Sequence, residues 1–122
     1  MEKILNIEEV DVRGEAGYQI KTNKQVISLL IDSYQSCCED WGYFMSEEDT
    51  DSYIGANLTD IQITDTALNK ESFNDFYNEQ VMFVDLITDR GVLQFVAYND
   101  HNGYYGHQAR VISEQLNHSE WL

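Results

Sequence analysis

Proline is absent from this sequence, and cations are scarce: seven Lys and Arg stand against 22 Asp and Glu, a formal charge of −15. A chain this acidic is not drawn to nucleic acid or to an anionic membrane by bulk electrostatics. Two roles stay open. It can bind a small anion through one local pocket of backbone N–H groups and a few cations, or imitate nucleic acid and occupy a basic groove on a partner. Long apolar runs are also missing. The stretch at residues 27–31 is interrupted by Ser28, so nothing spans a membrane as a helix. The opening Met-Glu-Lys-Ile-Leu lacks the basic and then apolar stretch of a secretory leader, so a cytoplasmic location is expected. The only cysteines, Cys37 and Cys38, are adjacent. We read them as two reduced thiols, and they lack the second pair of a structural zinc site.

What is present suits a packed sheet. With 43% hydrophobic and 12% aromatic residues, the 122-residue chain can build a core. Its size matches one domain over residues 1–122, since single cores typically span roughly 100–150 residues. No linker, repeat or low-complexity tract divides it. Ile4, Ile7, Val10 and Val12 lead into a turn at Arg13-Gly14-Glu15-Ala16-Gly17. Tyr18, Ile20 and Thr22 then alternate with polar residues, the pattern of a half-buried strand. Thr22-Asn23-Lys24 predicts a hairpin turn, residues 26–31 a buried strand, and residues 34–45 more sheet. Ser46-Glu47-Glu48-Asp49 offers the cap of a short helix that Ile54-Gly55 ends. Leu58, Ile61 and Ile63 predict a further strand, and residues 69–80 a loop or one helical turn. Residues 81–99 are the clearest hairpin, turning at Asp89-Arg90-Gly91. Residues 108–115 predict the last strand, with Ala109, Val111 and Ser113 on one face. The expected class is α+β: mainly antiparallel sheet with one or two short helices.

The densest chemistry lies in Asn99-Asp100-His101-Asn102-Gly103-Tyr104-Tyr105-Gly106-His107, followed by Arg110. Glycine lets backbone N–H groups approach a ligand, tyrosine gives a flat face for a purine or sugar, and asparagine can pair with a base edge. Arginine holds phosphate through two parallel bonds. The ordinary structural reading is a long hairpin loop whose Asn and Gly serve turn geometry. The ligand reading makes Asn99, Asn102, Tyr104, Tyr105, His107 and Arg110 a binding site. Arg13, Arg90 and Arg110 are the only arginines. Arg110 ranks first for an anion because it follows the loop, Arg90 second and Arg13 third. Each can instead pair with a surface acid.

Other constellations are weaker. His101 and His107 have no third ligand of suitable spacing, so no metal is expected. Glu39 and Asp40 oppose a reactive thiolate at Cys37 or Cys38. Trp41 reads as core before stacking platform. No catalytic residue and no cofactor is expected, and the chain does not read as an enzyme. Residues 39–79 carry eleven Asp and Glu and one Lys. That block is either a solvated face or a phosphate-backbone mimic.

Cys37-Cys38-Glu39-Asp40-Trp41, Ile54-Gly55 and the loop at 99–107 together resemble a family of small phage and prophage proteins. The resemblance covers roughly residues 20–115, and within it the chain is similar to the Thoeris anti-defence proteins. It implies a sponge that binds a cyclic ADP-ribose isomer made by bacterial TIR-domain enzymes and leaves it intact, inside the infected host bacterium. It further implies an α+β fold, a form at least dimeric, and nucleotide sites at the subunit interface. A homo-oligomer is also expected because one small domain encloses too little volume for a dinucleotide-sized ligand. The alternative is an acidic, nucleic-acid-mimicking inhibitor of a bacterial defence protein.

Overall fold

A computed structural model of the chain describes residues 1–33, 39–64, 81–101 and 107–122, with the main chain alone for Val12, Glu39, Asp40, Asp100 and His101. Alternating apolar side chains make nine strands: β1 (Glu2–Val12), β2 (Glu15–Thr22), β3 (Val26–Asp32), β4 (Glu39–Met45), β5 (Asn57–Thr64), β6 (Val81–Thr88), β7 (Gly91–His101), β8 (Gln108–Ile112) and β9 (Asn117–Trp121). They form one antiparallel sheet in the order β4-β7-β6-β5-β1-β2-β3-β8-β9. Among the described residues the only helical element is a 3₁₀ turn, Thr50–Tyr53.

The long strand β1 joins two halves of the sheet. Its first residues pair with β5, and from Ile4 onward it pairs with β2, with a bulge between Ile4 and Asn6. A bulge adds a residue and sharpens the local twist. The halves then face each other: Tyr18 of β2 packs edge-on to Tyr43 of β4 and to Phe95 of β7. The core between them includes Ile20, Ile27, Leu29 and Ile31 from one half and Val84, Leu86, Leu93 and Phe95 from the other. β7 is buried on both sides, because Gln94 and Val96 are as enclosed as Phe95 and Ala97.

Turn chemistry sets the register. Arg13 and Gly14 both have positive φ, 56° and 80°. That is the two-residue loop whose twist matches antiparallel strands, and it seats Val12 opposite Glu15. The expected hairpin over residues 81–99 is present, with Thr88 opposite Gly91 across Asp89-Arg90. The turn after β2 is held by the Thr22 hydroxyl oxygen, which accepts the N–H groups of Lys24 and Gln25, both at 3.1 Å.

Three expectations need correction. The turn expected over Arg13–Gly17 is Arg13-Gly14 alone, and Gly17 lies within β2 opposite Val10. The helix capped by Ser46 is only the 3₁₀ turn, with Asp49 before it making no side-chain cap. Ser46 stays with the sheet: its N–H donates to the Gln94 carbonyl at 2.8 Å, and its Oγ accepts the Gln94 N–H at 2.9 Å. The turn does end at Ile54-Gly55, as expected. The strand expected over 108–115 stops at Ile112. Ser113 then turns the chain, its Oγ donating to the Leu116 carbonyl and accepting the Leu116 N–H, and β9 follows. The expectation for residues 69–80 lies outside the described residues.

Candidate functional site

The two motifs singled out in the sequence lie more than fifty positions apart, and their described ends, residues 39–41 and 99–101, pair in the sheet. β4 pairs with β7 so that Glu39 faces His101, Asp40 faces Asp100 and Trp41 faces Asn99. Strand parity turns Trp41, Tyr43, Asn99 and Phe95 to the inner side. His107 reaches the same place from the opposite half of the sheet. Its ring is fully buried and lies over Trp41, with centroids 5.2 Å apart and planes at 26°. Its Nδ1 is 2.8 Å from the Asp32 carbonyl oxygen. The His107 main chain pairs with Leu122, whose carbonyl also accepts the Asn99 side-chain amide at 3.3 Å. Trp41, Asn99, His107 and Leu122 therefore close the seam between the two halves.

Along the inner side of β4 the seam runs into a phenol cluster that sequence reading did not single out. The Tyr43 hydroxyl donates to Glu9 Oε2 at 2.5 Å. Burial first, and then this bond to Glu9, push the Tyr43 phenol well above its ordinary pKa. Tyr18 beside it is raised by burial and by the Glu9 charge. No local signal pairs residue 9 with residue 43. The packing of one half of the sheet on the other does so.

The arginines are placed as follows. Arg110 lies on β8 opposite Leu30 and Ser119, so its side chain projects to the outer face, away from the His107 ring. There it makes a two-point ion pair with Glu15, Nε donating to Oε2 at 2.9 Å and Nη2 to Oε1. That bond is the main cause raising the Arg110 pKa. Arg90 reaches the 3₁₀ turn, where Nη1 donates to the carbonyls of Ser52 and Ile54 at 2.8 and 2.9 Å. Arg13 is exposed at the tip of the first hairpin. Asn99 and His107 are thus brought together, while Arg110 and Arg90 stand elsewhere with acceptors of their own. Asn102, Tyr104 and Tyr105, like Cys37 and Cys38, lie outside the described residues. So does the side chain of His101.

The described part holds stacked aromatic rings, side-chain amides and a guanidinium matched to a carboxylate. Among the described residues no three His, Cys, Asp or Glu side chains converge as metal ligands, and no helix is long and apolar enough to cross a membrane.

The described residues define an antiparallel β protein in which residues 39–41 pair with residues 99–101. Residues 2–111 match the model of a family described as a domain of unknown function, DUF7448. The chain belongs to that family. No curated protein and no solved structure matches it at a significant level.

Proposed function

We propose that this is a phage-encoded immune-evasion protein that binds a cyclic ADP-ribose-type nucleotide in the cytoplasm of the infected bacterium and sequesters it without cleavage. One observation carries the reading. The register of β4 on β7 pairs Glu39, Asp40 and Trp41 with His101, Asp100 and Asn99, and these residues belong to the two segments on which the resemblance to Thoeris anti-defence proteins rests. A sponge needs enclosure and tight contacts and no reacting group. In this reading the tyrosine-rich segment supplies stacking faces, backbone N–H groups and Asn102 supply donors, and Arg110, reaching from the outer face of β8, supplies the charge for phosphate. In a chain of −15 a guanidinium pre-set in a two-point pair is the group a pyrophosphate would take over from Glu15. The protein acts as a homo-oligomer, and the complete chain is α+β, which circular dichroism measures.

A second reading rests on a different observation. Glu47, Glu48, Asp49 and Asp51 are all exposed between β4 and β5, a local acidic ridge suited to a basic groove on a defence protein.

Calorimetry with cyclic ADP-ribose isomers separates the two, followed by heat denaturation and chromatography of what is released. The sponge returns its nucleotide intact. Arg110→Ala and Glu15→Gln break the same ion pair, so both lower stability by about 1 kcal/mol or less. Their effects on affinity have opposite signs. Arg110→Ala weakens binding about ten- to a hundredfold, because charge-assisted bonds contribute roughly 1.5–3 kcal/mol. Glu15→Gln frees the guanidinium and tightens binding. Unchanged affinity in both variants removes Arg110 from the site and makes Arg90 the next to test. No nucleotide binding at all leaves the acidic inhibitor.

A further inference from the structure

The last strand, β9, is the edge of the sheet, and its hydrogen-bonding pattern is defined on the inner side alone. His107 exchanges main-chain bonds with Leu122, and the Ser113 N–H donates to Leu116. In an antiparallel ladder, bonded and non-bonded pairs alternate. The pairs Ala109–Glu120 and Val111–His118 are therefore the bonded ones, and Asn117, Ser119 and Trp121 turn their N–H and C=O groups outward. Among the described residues nothing pairs with that edge.

Such edges are normally blunted by proline, lysine, a bulge or a covering segment. β9 reads Asn-His-Ser-Glu-Trp; it is short and carries Glu120, and it has no proline, lysine or bulge. It also carries Trp121, 69% exposed.

We propose that this edge is a homodimer surface, on which β9 pairs antiparallel with β9 of a second copy about a two-fold axis through Ser119. The sequence is self-complementary in that register. Ser119 meets Ser119 of the partner subunit, and Asn117 meets the partner's Trp121. All the outward N–H and C=O groups find partners in bonded pairs. The intervening non-bonded pair sets His118 against Glu120 of the partner subunit, an imidazole against a carboxylate, and does so twice by symmetry. Non-bonded pairs bring side chains closest together. Within one chain His118 Nε2 and Glu120 Oε2 are already 3.4 Å apart on the same face, so the pairing builds a four-membered row of alternating partners. The chosen register sets no two carboxylates opposite each other in a protein of net −15. The two sheets become one continuous sheet, with Trp121 shielded against the partner's Asn117.

This inference is independent of any ligand, so its test uses the protein alone. The mass in solution is measured by light scattering or sedimentation at about 100 µM, well above typical dissociation constants of specific pairs. The expected result is twice the 14.2 kDa chain. Ser119→Pro removes an outward N–H without touching the bonds to β8, a placement in which an edge strand tolerates proline. Ser119→Lys sets two ammonium groups against each other on the axis and leaves the backbone alone. Both variants halve the mass while far-ultraviolet circular dichroism keeps the strand signal of the parent. If Ser119→Pro fails to fold, Ser119→Lys decides. A parent of 14.2 kDa, or a folded Ser119→Lys that keeps the doubled mass, overturns the proposal.

Discussion

A hydrogen atom in place of a methyl group at residue 17 is what lets β2 lie against β3. Gly17 has φ 153°, and a Cβ there would stand 1.9 Å from the carbonyl oxygen of Leu29. The obstacle is backbone in the middle of the sheet, so no side-chain rotation relieves it. Gly17→Ala must push β3 away from β2 or twist β2. We expect a loss of about 2 kcal/mol or more, read as a lower urea midpoint, because it combines backbone strain with displaced ladder bonds. Gly14→Ala, with open space around its Cβ position, isolates the φ effect alone. It should cost about 1 kcal/mol. His107 illustrates a different residue-scale point. Its ring is fixed by Trp41 on its face and by the Asp32 carbonyl at its edge, and both partners come from distant parts of the chain.

Strands are tied to one another by side chains as well as by the ladder. The turn between β6 and β7 is anchored to the start of β5 by Asp89, whose carboxylate accepts the Asn57 N–H at 2.9 Å and the Asn57 side-chain amide at 2.7 Å. The backbone bond first, and then the side-chain bond, hold the Asp89 pKa below its ordinary value of 3.8. A carboxyl whose folded pKa is depressed binds fewer protons in the folded state than in the unfolded one. Its stabilisation is present above pH 3.8 and is lost as pH falls through the lower, folded value. Asp89→Asn removes this contribution. Urea midpoints of the parent should therefore decline more steeply below pH 4 than those of the variant, and identical slopes would contradict the assignment. Arg90, next in the same turn, ties the 3₁₀ segment to the hairpin through the Ser52 and Ile54 carbonyls. One turn thus positions β5, β6, β7 and the segment after β4.

Across the whole molecule, repulsion among like charges outweighs the few attractive ion pairs. A formal charge of −15 on 122 residues raises the free energy of any compact state, and salt screens it over a Debye length of about 10 Å at 0.1 M. Raising NaCl from about 20 to about 500 mM should increase Tm by several degrees, as measured by calorimetry. A protein whose stability rested on surface ion pairs would lose Tm instead. Arg110–Glu15 is such a pair, and its weakening by salt is small against the relief of repulsion. Salt also lowers the barrier for two acidic copies to approach, so the β9 pairing should strengthen over the same range.

The strands, their faces and most of their turns were legible without the fold, because they depend on chemistry within a few positions. Alternation placed Ala109, Val111 and Ser113 on one buried side, and all three are buried. Paired apolar runs around Asp89-Arg90-Gly91 placed the hairpin. β9 escaped such reading because an edge strand has little to bury, and Asn-His-Ser-Glu-Trp carries no apolar alternation. The short helix was over-read because capping residues mark where a helix can start, whereas Ser46 is taken by the Gln94 main chain across the sheet. Composition identified arginine as scarce, but the partner of Arg110 is 95 positions away in Glu15. The meeting of Trp41 with His107, and of Tyr43 with Glu9, likewise depends on how one half of the sheet packs on the other. Local sequence determined what each segment is, since side-chain period and turn geometry act at short range. The order of strands and the partners of charged and buried groups were decided by tertiary structure, because burial and hydrogen bonding are settled between segments far apart in the chain.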